Sequence, residues 1–166
     1  GAPRVNAAGR MGDANSALKL FTAEKESDIY DLACRLNEFN IERQQVCDEV
    51  YRSAKEQIAR EGGAYGNIIM LCDESWSTGL VGIVAARIAE EFNRPAILFV
   101  KRGDMLKGSA RTIETVNIYE ALKSCSEYIE EFGGHAQAAG VNVRAENFEL
   151  LKRAMDDYLR ETYTQE

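Results

Sequence analysis

The chain is 166 residues long, 45% apolar and 28% charged, with a net charge of −7. That apolar content excludes a disordered chain, and no run approaches the ~20 apolar residues of a membrane span, so no membrane partner is expected. The acidic balance argues against a protein that coats nucleic acid through overall positive charge. The length suits one domain, or one domain plus a helical extension, with a core that needs neither disulfides nor metal.

Positions 1–26 open with Pro3-Arg4-Val5-Asn6-Ala7-Ala8-Gly9-Arg10-Met11-Gly12-Asp13, too rich in Gly and small residues for a regular element. No apolar run comes after the first residues, so no signal peptide is expected. A short helix fits Ala14 to Phe21, and Thr22 or Ser27 suits the cap of a second helix. From Ser27 to about Glu61 there is no Pro or Gly, and Ile29, Leu32, Leu36, Phe39, Arg43, Val46 and Val50 follow 3–4 spacing, one apolar stripe broken once by Arg43. This predicts a helix of roughly 50 Å, ended by Gly62-Gly63. A helix that long either caps a sheet or connects two bodies.

From Tyr65 onward strands and helices alternate. Ile68–Cys72 reads as a buried strand, Val81–Phe92 as a helix stopped at Asn93-Arg94-Pro95, and Ala96–Val100 as the next strand. Lys101–Asp104 reads as a hairpin turn, and Leu106–Arg111 as the returning strand. Ile118–Ile129 is predicted helical, Phe132–His135 a glycine loop, Gly140–Val143 a short strand, and Ala145–Thr162 a final amphipathic helix. The fold class expected is α/β: a mixed β-sheet flanked by helices, preceded by a long connecting helix.

Several chemistries are missing. The sequence has no phosphate-binding P-loop, no GxGxxG and no GxSxG elbow. Cys34, Cys47, Cys72 and Cys125 form no CxxC pair, and His135 is the sole histidine, so no zinc site is expected. Free thiols in a reducing cytoplasm are the expectation. The pairs Glu90-Glu91, Glu130-Glu131 and Asp156-Asp157 diverge on a helix and read as solvated faces.

Three motifs remain. Between Arg94 and Thr112 the bases Arg94, Lys101, Arg102, Lys107 and Arg111 face one acid, Asp104, so an anionic ligand is expected there. Within that run, a strand over Lys107-Gly108-Ser109-Ala110-Arg111 puts Lys107, Ser109 and Arg111 on one side. An ammonium, a hydroxyl and a guanidinium in a row suit a phosphate, although an ordinary edge strand with exposed charges has the same pattern. In Gly133-Gly134-His135-Ala136-Gln137-Ala138-Ala139-Gly140 the glycines permit positive φ and close ligand approach, and a helix start after them would bind an anion. His135 would then donate to a phosphate oxygen; the alternative is a tight turn with a structural histidine. Asn6–Met11 carries Arg10, which either reaches a ligand or caps a helix. Trp76, between a strand end and a helix start, either stacks on a base or locks its loop onto the core.

Taken in order, these motifs resemble the RecJ-type single-strand-DNA exonucleases of the DHH phosphoesterase superfamily. The Pro3–Asp13 segment resembles the end of that family's catalytic domain. Trp76 with Gly79–Arg87 resembles its helix signature, and Lys107–Arg111 and Gly133–Gly140 its two substrate-side motifs. The resemblance implies a remnant of the catalytic domain at 1–26, a connector helix at 27–63 and a DHH-associated domain at 64–166. It implies metal-dependent 5′→3′ hydrolysis of single-stranded DNA in a longer parent, in DNA repair and recombination. Mn2+ or Mg2+ would be bound by the missing Asp-His-His segment, and the fragment alone would be inactive. A single-strand-binding protein or a helicase would be a partner of the parent. Ser109 and Arg111 would contact phosphate, Arg10 would face the same cleft, Gly133, Gly134 and His135 would approach the substrate near the metals, and Asn6 would line the cleft. His135 would be the catalytic contribution of this chain. Alternatives are an oligoribonuclease or adenosine bisphosphate phosphatase of the same superfamily, and a non-catalytic nucleic-acid-binding module.

Overall fold

The computed structural model describes residues 14–63 and 65–163, so Asn6 and Arg10 lie outside the described residues. The chain divides into two compact units, 1–45 and 46–166. A helix, α1, runs over Ala14–Arg60 without the break expected between positions 22 and 27. Nothing in that stretch breaks a helix: it contains no Pro and no Gly. It stops where Gly62 and Gly63 take φ of +69° and +70°, a conformation in which a side chain would be strained. Within the first unit, the Ile29, Leu32, Leu36 and Phe39 side chains of the predicted stripe are exposed.

The second unit is a five-stranded sheet with helices on both faces. Its strands are β1 (Ile69–Asp73), β2 (Ala96–Arg102), β3 (Met105–Arg111), β4 (Glu131–Gly134) and β5 (Ala138–Arg144). The spatial order is β1-β2-β3-β5-β4. β1 and β2 are parallel, joined through helix α2 (Val81–Phe92), and every other pair is antiparallel. The mixed α/β sheet expected from the alternation is therefore present. Asn93 ends α2 in the left-handed region at φ 51°, as its place before Arg94-Pro95 suggests. The β2–β3 turn is shorter than expected: pairing continues to Arg102↔Met105, leaving Gly103 at φ +59° and Asp104.

Two expected elements differ. The helix at 118–129 is α3 (Ile118–Ser124) with a 3-10 turn after it, Ser126–Tyr128. The final helix, α4, begins at Phe148 after a second 3-10 turn.

The sheet is covered unequally. One face packs α3 and α4 over β2, β3 and β5, through Ile97, Phe99, Leu106, Val141 and Val143 against Ile118, Leu122, Leu151 and Met155. Gly108 is explained here: a methyl group on it would lie 2.5 Å from the Phe99 ring, which also packs edge-on against Phe148 at 5.8 Å. The other face is covered over β1 and β2, where Ile69, Leu71, Ala96, Leu98 and Val100 meet Val50, Ala54 and Ile58 of α1 and Val81, Val84, Ala85 and Ile88 of α2. β2 is thus buried on both sides over Ala96–Val100, whereas β3 and β5 bury only alternate residues.

One member of each adjacent carboxylate pair holds elements together, instead of only facing solvent. Asp156 on α4 accepts the Asn67 N–H at 2.5 Å and pairs with Arg160 at 2.7 Å, fixing the chain before β1. A methyl group on Gly66 would collide with that carboxylate. Glu91 on α2 accepts from Tyr51 and Lys55 of α1, both at 2.7 Å. Glu130 pairs with Arg144 at 2.8 Å.

Asp156→Ala should destabilise the chain by about 1–3 kcal/mol in urea unfolding, because the Asn67 amide loses a charged acceptor. The Lys55 ammonium and the Tyr51 hydroxyl hold the Glu91 carboxyl below its ordinary value. Its stabilisation is therefore present above the ordinary carboxylate range and is lost as pH falls through the lowered value. The stability gap between wild type and Glu91→Gln should be greatest near neutrality, small because the Glu91 side chain is 38% exposed, and should close as pH falls through the lowered carboxyl value, read by urea unfolding across pH.

Candidate functional site

The exposed half of the unequally covered face brings two of the sequence motifs together, Lys107–Arg111 and Gly133–Gly140. Lys107, Ser109 and Arg111 alternate on β3 with the buried Leu106, Gly108 and Ala110, so they stand on the side that α2 covers only in part. The pairing sets two rows across the sheet. Ser109 lies opposite Gly140, and Gly140 opposite Gly133; Lys107 lies opposite Asn142, and Asn142 opposite Glu131. Adjacent strands lie ~4.8 Å apart and the rows ~6.8 Å apart. A shallow recess of about 240 Å3 lies between them, lined by Lys107, Glu131, Phe132, Gly133, Gly140 and Asn142.

The two glycines of the Gly133-Gly134 pair have different jobs. Gly134 has φ +144°, and a methyl group there would collide with Ala138 O and Ala139, so the fold requires glycine. Gly133 has no positive φ, and a methyl group on it, or on its partner Gly140, would meet nothing within 4 Å. Packing within the described residues requires neither glycine. Together with Ser109 they make a strip where the peptide backbone itself is accessible.

The expected glycine loop is in fact strand β4, and no helix start comes after it: the chain turns at His135-Ala136-Gln137 into β5. The anion site expected from a helix start is therefore not formed here. Strand pairing with β5 prevails over the turn tendency of the glycines. His135 is exposed at that turn, its N–H bonded to Ala138 O at 2.9 Å. Its Nδ1 accepts the Gln137 N–H at 3.3 Å, which leaves Nε2 to carry the proton of the neutral ring.

The guanidinium of Arg111 is held from two sides. Its Nη1 donates to Ala110 O at 2.8 Å, and its Nη2 lies beside Gly82 in the first turn of α2. Among the described residues no carboxylate pairs with Arg111 or Lys107. Their charge is thus available to an anion. Two other bases of the positive run are used differently. Arg94 donates to Phe92 O and Gly66 O and stacks on Tyr65, and Arg102 donates to Glu74 O.

Trp76 does not join the site. It is 2% exposed, packed in the core beneath α1 and α2, and its Nε1 donates to Ser53 Oγ at 3.0 Å. A ring so placed cannot stack on a base, and it locks the β1–α2 loop. Asn142, Glu131 and Gly82 were not offered as site residues by the sequence, where Glu131 reads as part of a solvated face and Gly82 only as part of the Gly79–Arg87 helix. The first two depend on the strand register, and a glycine inside a helical pattern was the available signal for the third.

Substituting the glycines should separate the two roles in urea unfolding. Gly133→Ala and Gly140→Ala should stay within about 0.5 kcal/mol of wild type, and Gly134→Ala should lose about 1–3 kcal/mol through backbone strain.

Comparison with known proteins gives consistent results. Residues 65–161 match the DHHA1 domain family. The chain is 34% identical over 167 residues to the single-stranded-DNA-specific exonuclease RecJ of Bacillus subtilis, covering 99% of this chain and 21% of that protein. It is likewise 34% identical to the RecJ of Thermus thermophilus, covering 95% of this chain and 22% of that protein. A crystal structure of RecJ in complex with Mg2+ from Thermus thermophilus superposes with a TM-score of 0.71 at 31% identity, over 96% of this chain and 25% of that one. A structure of exonuclease RecJ bound to manganese gives 0.65 at 33% identity, over 95% of this chain and 39% of that one. The chain thus spans about a fifth of the length of these two curated relatives.

Proposed function

Because the chain belongs to the DHHA1 domain family, we propose that it is the substrate-gripping half of a RecJ-type exonuclease that digests single-stranded DNA from its 5′ end. One observation carries this reading: Ser109 and Arg111 stand on the sheet face that α2 covers only in part, with Ser109 in register with the side-chain-free Gly133–Gly140 pair. In this reading residues 1–26 close a catalytic domain, 27–63 form the connector and 64–166 form the domain that holds substrate. The four unpaired thiols suit the reducing cytoplasm.

The chemistry of each group suits a nucleic-acid backbone. Arg111 offers parallel N–H donors that fit two oxygens of one phosphate, and Ser109 adds a hydroxyl donor. Lys107 supplies a second positive charge one row along the strand. The Gly133–Gly140 strip lets a sugar–phosphate chain approach to contact distance, where a pair of larger side chains would hold it off. His135 presents its Nε2 proton at the edge of the strip, as a donor to an oxygen near the reacting phosphorus. These contacts bind and orient the strand and leave its bases unread.

In the longer protein Mg2+ or Mn2+, the ions of the solved RecJ complexes, would activate water and neutralise the departing oxygen. Among the described residues no group of three His, Cys, Asp or Glu could hold such an ion. The described residues therefore act in this proposal as binders, not as metal ligands.

Fluorescence anisotropy with short single-stranded DNA, with and without a 5′-phosphate, tests the reading. Wild type should prefer the phosphorylated strand and weaken as salt rises. Arg111→Ala should lose about 1–3 kcal/mol of binding, while Arg153→Ala, on α4 over the opposite face, should match wild type. With Mn2+ added, the strand should remain intact. Equal binding by Arg111→Ala, or manganese-dependent degradation that His135→Ala abolishes, would refute the assignment.

A further inference from the structure

Gly82 is the second residue of α2, buried, and helical in its backbone. A helix there does not need glycine: φ is not positive, and alanine is the better helix former. What the position excludes is a side chain. A methyl group built on Gly82 would lie 2.6 Å from Arg111 Nη2 and 3.2 Å from Arg111 Cζ, while Ser109 Cβ, at 3.5 Å, would be in ordinary contact. The only close neighbour is thus the far end of a flexible side chain, one that can swing away without disturbing the sheet or the helix.

We propose that Gly82 is a positioning residue: its missing side chain is the socket that holds the Arg111 guanidinium beside Ser109. The Ala110 carbonyl fixes Nη1 at 2.8 Å and the bare α2 backbone at Gly82 limits the other edge. Held on both sides, the guanidinium keeps one orientation, so less side-chain entropy is lost when a phosphate binds. Alanine at 82 removes the socket. The guanidinium turns out toward solvent, its charge is retained, and its two parallel donors are no longer held beside Ser109. This inference rests on the phosphate-binding role of Arg111, and it predicts an opposition: the glycine lowers helix stability and raises phosphate affinity.

The test uses the whole chain as wild type, Gly82→Ala, Arg111→Ala and the double variant. Thermal unfolding monitored by circular dichroism should give Gly82→Ala a Tm equal to or above that of wild type. A clearly lowered Tm would mean that the glycine serves packing, and would overturn the proposal. The Arg111 Nε–Hε correlation, identified by its loss in Arg111→Ala, should shift in the nuclear magnetic resonance spectrum of Gly82→Ala; an unmoved signal would overturn it without reference to DNA. In anisotropy with 5′-phosphorylated single-stranded DNA, Gly82→Ala should lose affinity about as much as Arg111→Ala, on the order of tenfold. The double variant should be no worse than Arg111→Ala. Full additivity, or wild-type binding by Gly82→Ala beside a weakened Arg111→Ala, refutes the socket and leaves the Arg111 role standing. Wild-type binding by Arg111→Ala refutes that role, and with it the socket.

Discussion

Unequal burial of the sheet is the constraint on which everything else rests. One face is sealed across its middle by α3 and α4, whereas on the other α1 and α2 bury β1 and β2, α2 reaches β3 only along one edge at Ser109 and Arg111, and β5 and β4 carry no buried apolar cover from them. A sheet needs a core on at least one side to be stable, and the sealed face provides it. The far half of the other face is then free of packing duty. Its residues can be a lysine, a serine, an arginine and bare glycines, at no cost to the core.

The same constraint explains how an acidic chain can carry an anion-binding face. Net charge sets the far field, but a ligand in contact responds to the groups within a few ångströms, since screening removes most of the rest. Arg111 and Lys107 have no carboxylate partner among the described residues, while Arg87, Arg144 and Arg160 each do. Arg94 and Arg102 serve backbone carbonyls. Of the five bases that make the stretch from 94 to 112 positive, only some belong to the binding face. The distinction lies in what each side chain touches, not in local charge density.

Much of the site was legible before the fold was known. The period-two placement of Lys107, Ser109 and Arg111 is a property of any strand, and it held because Leu106 and Ala110 supply a buried side to match. The Gly62-Gly63 stop and the Asn93 cap were legible for the same local reason. Less was legible where long-range pairing competes with local preference. Phe132–Gly134 look like a loop because glycine is a poor strand former, yet register with β5 holds them in the sheet. Trp76 could be read as an exposed stacking ring or as a core anchor, and only the approach of α1 and α2 decides for the core.

By itself the sequence determined the α/β class, the helix stops at Gly62-Gly63 and Asn93 and the existence of a one-sided cationic strand. These depend on side-chain periodicity and on backbone rules that act over a few residues. Tertiary structure alone decided which glycine is needed for the fold and which leaves the surface bare. It also decided which arginines are available to a ligand, and that Gly82 lies against Arg111 across a gap that admits no methyl group. Such facts depend on what lies opposite a residue across the sheet or on a neighbouring element, and that is set by packing between segments far apart in the chain.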